Sequence, residues 1–289
     1  MPSRLPARTL AALLALAPGA VHAGAWTRDA GEGVVRLSYG VLAAERYYGA
    51  DFERVDIPRY RQEVVGLFAE VGVIDRWLTL SLSGTPYRRS RLAGAGSAEG
   101  VGDLQLAAWT GLIVERGLRV SAGLLAGVPA GDSDQEAPGA PAAFEPRLPN
   151  GDGELDLEAR VAVGSGLPWL QGAWPLRHYV EAEVGFRWHA ELHDVVTYGL
   201  KVGAQLPYGV FERVWLTASV FGVESLATRR DVEPVVTGSG DGVTFTAVAA
   251  ELSVRLLHGL EVFGRVDGAL RARALPSALV ATFGVGGSF

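Results

Sequence analysis

The chain has 289 residues, of which 48% are hydrophobic and 20% charged, enough for one large β domain and too apolar for a disordered polyampholyte. A net charge of −6 and a pI near 5.5 offer no basic footprint for a nucleic-acid partner. The absence of Cys excludes a disulfide scaffold and a lipoprotein anchor.

Residues 1–23 read as a secretory signal peptide. Arg4 and Arg8 supply a positive start, Leu10–Ala17 is a short apolar run, Pro18 and Gly19 break it, and Val21–Ala23 is a small-x-small cleavage site. The apolar run falls short of the ~20 residues that a membrane helix needs. Cleavage before Gly24 removes two arginines and takes the side-chain charge from −6 to −8. Export without a helical anchor leaves a soluble envelope or secreted protein, or an outer-membrane barrel.

From there hydrophobic and polar residues alternate with a period of two, the mark of extended strands. The alternation predicts strands at about 33–44, 60–73, 77–85, 101–112, 118–128 and 153–164, then at about 177–189, 195–206, 214–224, 243–256, 260–270 and 277–289. In the second strand Val65, Leu67, Ala69, Val71 and Val73 share one face, against Gln62, Gly66 and Glu70. In the sixth, Leu155, Leu157, Ala159, Val161 and Val163 oppose Glu154, Asp156, Glu158 and Arg160. A soluble sheet would turn the aliphatic face to a core. An outer-membrane barrel turns it to lipid and the charges to the lumen.

The connections favour the barrel. Ile74–Arg76, the residues around Glu115–Gly117, 207–213 and His258–Gly259 are short turns on one side. On the other side, 45–59, 86–100, 129–152 and 225–242 read as long loops rich in Gly, Pro and acids. The connection 165–176 is long for its side, while 190–194 and 271–276 are short for theirs. Trp77, Trp109, Trp188 and Trp215 fall near strand ends, where interfacial girdles sit.

On this assignment the lumen is lined by Asp103, Arg119, Glu154, Asp156, Glu158, Arg160, Glu181, Glu183, Arg187, Arg255, Glu261, Arg265 and Asp267. Arg160 is within cross-strand reach of Glu181 or Glu183. Such charges either rigidify the interior as mutually satisfied pairs or filter solutes by sign, with the acid excess favouring cations or neutral molecules. Small inward residues (Gly40, Gly66, Ser121, Gly123, Gly127, Gly199, Gly203) suggest open volume. Of the 26 basic residues only Lys201 is lysine, which reads as a compositional habit and not a site.

The last strand, "LVATFGVGGSF", sets Leu279, Ala281, Phe283, Val285, Gly287 and Phe289 in phase and stops on an aromatic residue. It resembles the C-terminal signature of bacterial outer-membrane proteins, which implies that Phe289 is an assembly signal for the barrel-assembly machinery. Three further stretches, "AWTRDAGEGVVRLSYG" (25–40), "VGVIDRWLTLSLS" (71–83) and "EGVGDLQLAAW" (99–109), resemble a group of outer-membrane proteins. The group is associated with the meta-pathway of phenol degradation and is distantly similar to long-chain fatty-acid transporter barrels. The resemblance implies uptake of small aromatic or apolar molecules. The hatch of the fatty-acid transporters has no obvious counterpart, since Gly24–Glu32 is too short to fill a barrel.

No nucleophile motif accompanies the four mature histidines, so an enzyme is not expected. In "HAELHD", His189, Glu191 and His193 share a face if extended and would suit a transition metal, though a solvated loop tip is the plainer reading. "DSDQE" (132–136) and "NGDGELD" (150–156) fall short of a complete calcium loop, and no cofactor is expected.

The sequence thus predicts an all-β protein: a transmembrane antiparallel β-barrel of about twelve strands over residues 24–289, after a cleaved signal peptide over 1–23. The expected function is passage of small solutes, aromatic or apolar, by passive diffusion. The alternative is a non-transporting barrel with an adhesion or envelope-structural role. Expected partners are outer-membrane lipid and lipopolysaccharide, the assembly machinery and a small-molecule solute.

Overall fold

A computed structural model describes residues 24–115, 117–136, 147–166, 177–206, 213–256 and 259–289. Residues 1–23, expected to be a signal peptide, most of the expected connection 165–176, and His258 lie outside these residues. The first strands are β1 (Gly33–Tyr48), β2 (Arg54–Ile74), β3 (Leu78–Leu92), the short β4 (Gly96–Gly100), β5 (Leu104–Ile113), β6 (Arg119–Val128) and β7 (Asp156–Ser165). They continue as β8 (Arg177–His189), β9 (Val195–Gln205), β10 (Val214–Ser225), β11 (Thr244–Arg255), β12 (Leu260–Arg273), the two-residue β13 (Leu275–Pro276) and β14 (Val280–Ser288).

Without β4 and β13, twelve of these fourteen strands run around one closed antiparallel barrel. Closure is made by β1, which pairs with β2 from Gly33↔Val71 to Tyr48↔Arg54 and with β14 from Val34↔Ser288 to Leu42↔Val280. A closed ladder leaves no open edge, the condition for crossing a bilayer with strands.

The phase read from the sequence holds. Leu37, Leu80, Leu106, Leu124, Leu157, Val161, Val184, Leu200, Leu216, Leu252, Val266, Phe283 and Val285 are exposed on the outside. In water this belt would forfeit about 25 cal/mol for each Å² left exposed, whereas against lipid tails the penalty disappears. A closed antiparallel barrel with a continuous apolar belt is an outer-membrane β-barrel.

Two of the four expected long loops are mostly strand. β1 and β2 extend beyond the belt as a hairpin that turns at 49–53 with Phe52 at φ 64°, and β3 folds back onto β4. Both hairpins carry bulges that shift the phase, and they add charge outside: Tyr47, Tyr60, Leu92 and Ala98 are buried beside exposed Arg46, Arg59, Arg91 and Glu99. The short 271–276 connection carries β13, which pairs with Tyr47 and Tyr48.

Two tryptophans correct the girdle expectation. Trp77 and Trp188 are exposed, but Trp109 is 0% exposed inside the barrel, and Trp215 turns inward to meet Tyr179. Trp109 shares the parity of Asp103, six residues earlier, so the alternation already placed it inside.

Candidate functional site in the barrel lumen

An ionic ladder crosses the middle of the lumen on β7 and β8. Glu158, 0% exposed, accepts from Arg160 Nε at 2.7 Å, from Arg187 Nε and Nη2 at 3.0 and 2.9 Å, and from Thr197 Oγ1 at 2.5 Å. Arg160 Nη1 also donates to Glu183 Oε2 at 3.3 Å, and Arg187 Nε lies 3.7 Å from Asp156 Oδ1. The glycines beside these groups are contact points. A Cβ on Gly185 would meet Glu158 at 2.3 Å, and one on Gly127 would meet Asp156 at 2.1 Å. The open volume expected at the small residues is therefore largely taken by larger side chains of neighbouring strands. Gly123 sits under the Trp109 ring, Gly199 under Glu183 and Gly203 under Tyr179.

Segment 24–30, expected to be too short to fill a barrel, packs inside the end with the short turns. Ala25 is buried with Ala107, Trp109, Leu125 and Ala162, and the Trp26 ring packs over Gly164 and edge-on to Tyr179 at 5.5 Å. Ser121 Oγ donates to the Gly24 carbonyl at 2.5 Å. Arg28 pairs with the buried Glu70, and Asp29 is held by Arg76 Nε at 2.6 Å. That hydrogen bond from Arg76 lowers the Asp29 carboxyl below its ordinary range. A few residues suffice because small wall residues receive their large side chains.

At the opposite end the loops fold inward. Arg88 donates to the carbonyls of Asn150 at 3.1 Å and Thr237 at 3.3 Å, and Tyr47 donates to that of Val235 at 2.9 Å. Asp103 organises the 129–152 loop, accepting from the amides of Ala130, Gly131 and Asp152 at 3.2, 3.0 and 2.8 Å. Burial, then the neighbouring Asp103, pushes the Asp152 carboxyl up to about 6. His189 Nδ1 donates to the His193 carbonyl at 2.9 Å, and the His193 ring meets Asp241 at 2.6 Å. In "HAELHD" the imidazoles thus clasp the loops 190–194 and 229–242. The hydrogen bond to Asp241 raises the His193 ring above its ordinary value.

Between the inturned loops and the ionic ladder lies a cavity of about 300 Å³. Leu42, Val243, Phe245 and Val280 give it an apolar side, and Asp103, Asp152, Glu154, Asp156, Asp241 and Asp267 an acidic one, with Arg88 and Arg187 as its arginines. Among the described residues, Asn150 Oδ1, Asp156 Oδ1 and Asp267 Oδ2 are buried acceptors without a hydrogen-bond donor from the protein, and all three residues line this space.

The other residues singled out in the sequence scatter. Glu154 accepts from the Glu191 amide at 3.0 Å. Arg265 holds Asp267 at 2.8 Å, and Glu261 shares Arg36 with Glu251. Arg119 and Arg255 keep the inward phase but stand at the turn-end rim, where Arg255 is exposed. Of the two acids in reach of Arg160, Glu183 takes it, and Glu181 instead meets Lys201 Nζ at 3.1 Å. Lys201, expected to be no site, is thus a charge partner within the lumen. Arg28, Arg36, Arg88 and Glu251 were missed too. Arg88 lies in a stretch read as loop and Arg28 in the N-terminal tail, while parity with Ser38 and Ser253 marked Arg36 and Glu251 as inward.

No protein-family model matches the sequence, and no curated protein matches it. The fold is similar to the COG4313 outer membrane channel from Pseudomonas putida F1, with a TM-score of 0.65 and 15% identity over 90% of this chain and 96% of that one. Weaker likenesses include the NanC porin, with a TM-score of 0.48 and 9% identity over 88% of this chain and 98% of that one. LpxR from Salmonella typhimurium has a TM-score of 0.48 and 11% identity over 89% of this chain and the whole of that one.

Proposed function

We propose that this outer-membrane barrel is a channel for small solutes, passing them by diffusion through a narrow lumen. The observation that carries the reading is the cavity of about 300 Å³ beneath the inturned loops, a volume in the range of small-ligand sites. Its apolar side suits an aromatic or aliphatic body. Six acids against two arginines favour cationic or neutral solutes over anions. The sequence resemblance to the phenol meta-pathway group supports an aromatic or apolar solute, and the fold similarity to an outer membrane channel supports passage as such. Segment 24–30 packs against the wall at the turn end, so a solute leaving on that side passes beside it.

The ladder around Glu158 favours a second reading, a rigid barrel that acts through its loops, because every strong charge there has a partner. Planar-bilayer recording separates the two. A channel gives conductance with a reversal potential that shifts toward lower cation preference when Asp156 and Asp267 become Asn. The shift shrinks as screening length falls from ~10 Å at 0.1 M to ~3 Å at 1 M salt. A folded barrel that stays silent, and admits no phenol-sized solute into liposomes, fits the structural reading.

A further inference from the structure

We infer that the lumen contains a binding site for the chain's own α-ammonium group, with Glu181 as its carboxylate and the amine of Gly24 as its occupant. The inference rests on reading residues 1–23 as a leader cleaved before Gly24.

Glu181 is 6% exposed on β8, and its Oε1 accepts from Lys201 Nζ at 3.1 Å. Among the described residues its Oε2 accepts only a long contact, 3.4 Å from the Ala25 amide. A carboxylate offers about four lone-pair positions, so that oxygen has room for a strong donor. Gly24 is the residue placed to supply it. At φ +42° it approaches so closely that a Cβ would lie 2.5 Å from both Glu181 oxygens. Backbone bond lengths put an amino nitrogen about 2.5 Å from that Cβ position, hence within roughly 5 Å of the carboxylate. The hydroxyl of Ser121 on the Gly24 carbonyl and the burial of Ala25 hold the rest of the residue in place. Two further acids, Glu70 on β2 and Glu183 on β8, stand around Glu181 and Lys201. The cations facing them are Arg28 on Glu70, Arg160 on Glu183 and Lys201 itself.

Before cleavage the Gly24 nitrogen is a neutral amide with one N–H. Hydrolysis of the Ala23–Gly24 bond by an envelope signal peptidase consumes one water. It leaves a carboxylate on Ala23 and an amine on Gly24, which takes up a proton to become a cation with three donors. Removal of the leader thus creates the group that locks segment 24–30 into the turn end of the lumen.

Lys201 is the chain's one lysine, so an amine-specific reagent has two targets in the mature protein, and the site holds both. The experiment labels the folded, detergent-solubilised barrel at neutral pH and reads each site by peptide mass, with the urea-unfolded chain as reference. An opposite charge within ~4–6 Å favours the protonated amine. Labelling of Gly24 should therefore be about tenfold slower in the folded protein. Glu181→Gln should restore most of the rate at Gly24, and Gly24→Ala, whose methyl displaces the carboxylate, should do the same at residue 24. Heat-modifiable mobility confirms that each variant is folded. Folded wild-type protein that labels at Gly24 as fast as the unfolded chain overturns the site, as does a folded Glu181→Gln barrel with unchanged protection. A mature chain whose mass starts elsewhere than Gly24 overturns it through its premise, and the mass alone distinguishes that failure.

Discussion

Trp109 and Gly123 are directly paired across β5 and β6, and the indole lies so flat on the glycine that a Cβ there would sit 2.7 Å from two ring atoms. The glycine is a socket. Gly123→Ala should lower the thermal midpoint in detergent, with overpacking of this kind costing about 1–3 kcal/mol. Trp109→Phe in the same chain should recover much of the loss. Full stability of the single variant would show that the indole moves freely.

The buried carboxylate of Glu158 holds two arginines, so Glu158→Gln removes the charge on which Arg160 and Arg187 converge. Breaking a buried pair from one side costs about 3–5 kcal/mol. Glu183→Gln should cost much less, because its side chain is 20% exposed and Arg160 keeps Glu158. Unfolding in urea compares the two, and equal losses would contradict the ladder geometry.

On the outer face, Phe283 and Val285 are exposed within the apolar belt of β14. An arginine at either position near mid-membrane should cost ~2–4 kcal/mol and reduce assembly into lipid vesicles. Deleting Phe289 should slow assembly, as the C-terminal signature implies. Heat-modifiable mobility after a timed folding reaction measures both effects.

The loop clamps should loosen as pH rises. His193 is raised above its ordinary 6.5 by Asp241, so its stabilising contribution is complete below about 6.5 and is lost as pH climbs through the folded value. Asp152 is raised from 3.8 to about 6, so its proton favours the folded loop, and that contribution falls away between those two values. Protease nicking of loops 129–152 and 229–242 should accelerate from pH 5 to pH 8. Asp152→Asn should remove the lower part of the rise, and His193→Gln the upper part.

Much of this was legible before any coordinates. The alternation in Leu155–Val163 or Val262–Gly268 placed each side chain on its face, because a strand's period of two leaves only two faces. The closing aromatic and the turn lengths chose lipid for the apolar one. Parity also places Trp109 and Arg36 inside, since Trp109 is in phase with Asp103 and Arg36 with Ser38.

What parity cannot supply is distance across the lumen. The sequence put Arg160 in reach of two acids, and only the folded barrel decided for Glu183, since Lys201 and the Ala25 amide claim Glu181 from β9 and the N-terminal segment. It likewise marked Gly123, Gly199 and Gly203 as small without saying what rests on them. The residues that fill those sockets come from neighbouring strands whose register is set by the ladder. Segment 24–30 has no alternation to read, and its place inside follows from contacts with β6, β7 and β8, which exist only once the barrel has closed. Local pattern determined the wall of this protein, because face is a property of one strand. The filling of the wall was decided by tertiary structure, because it depends on which strands stand opposite one another.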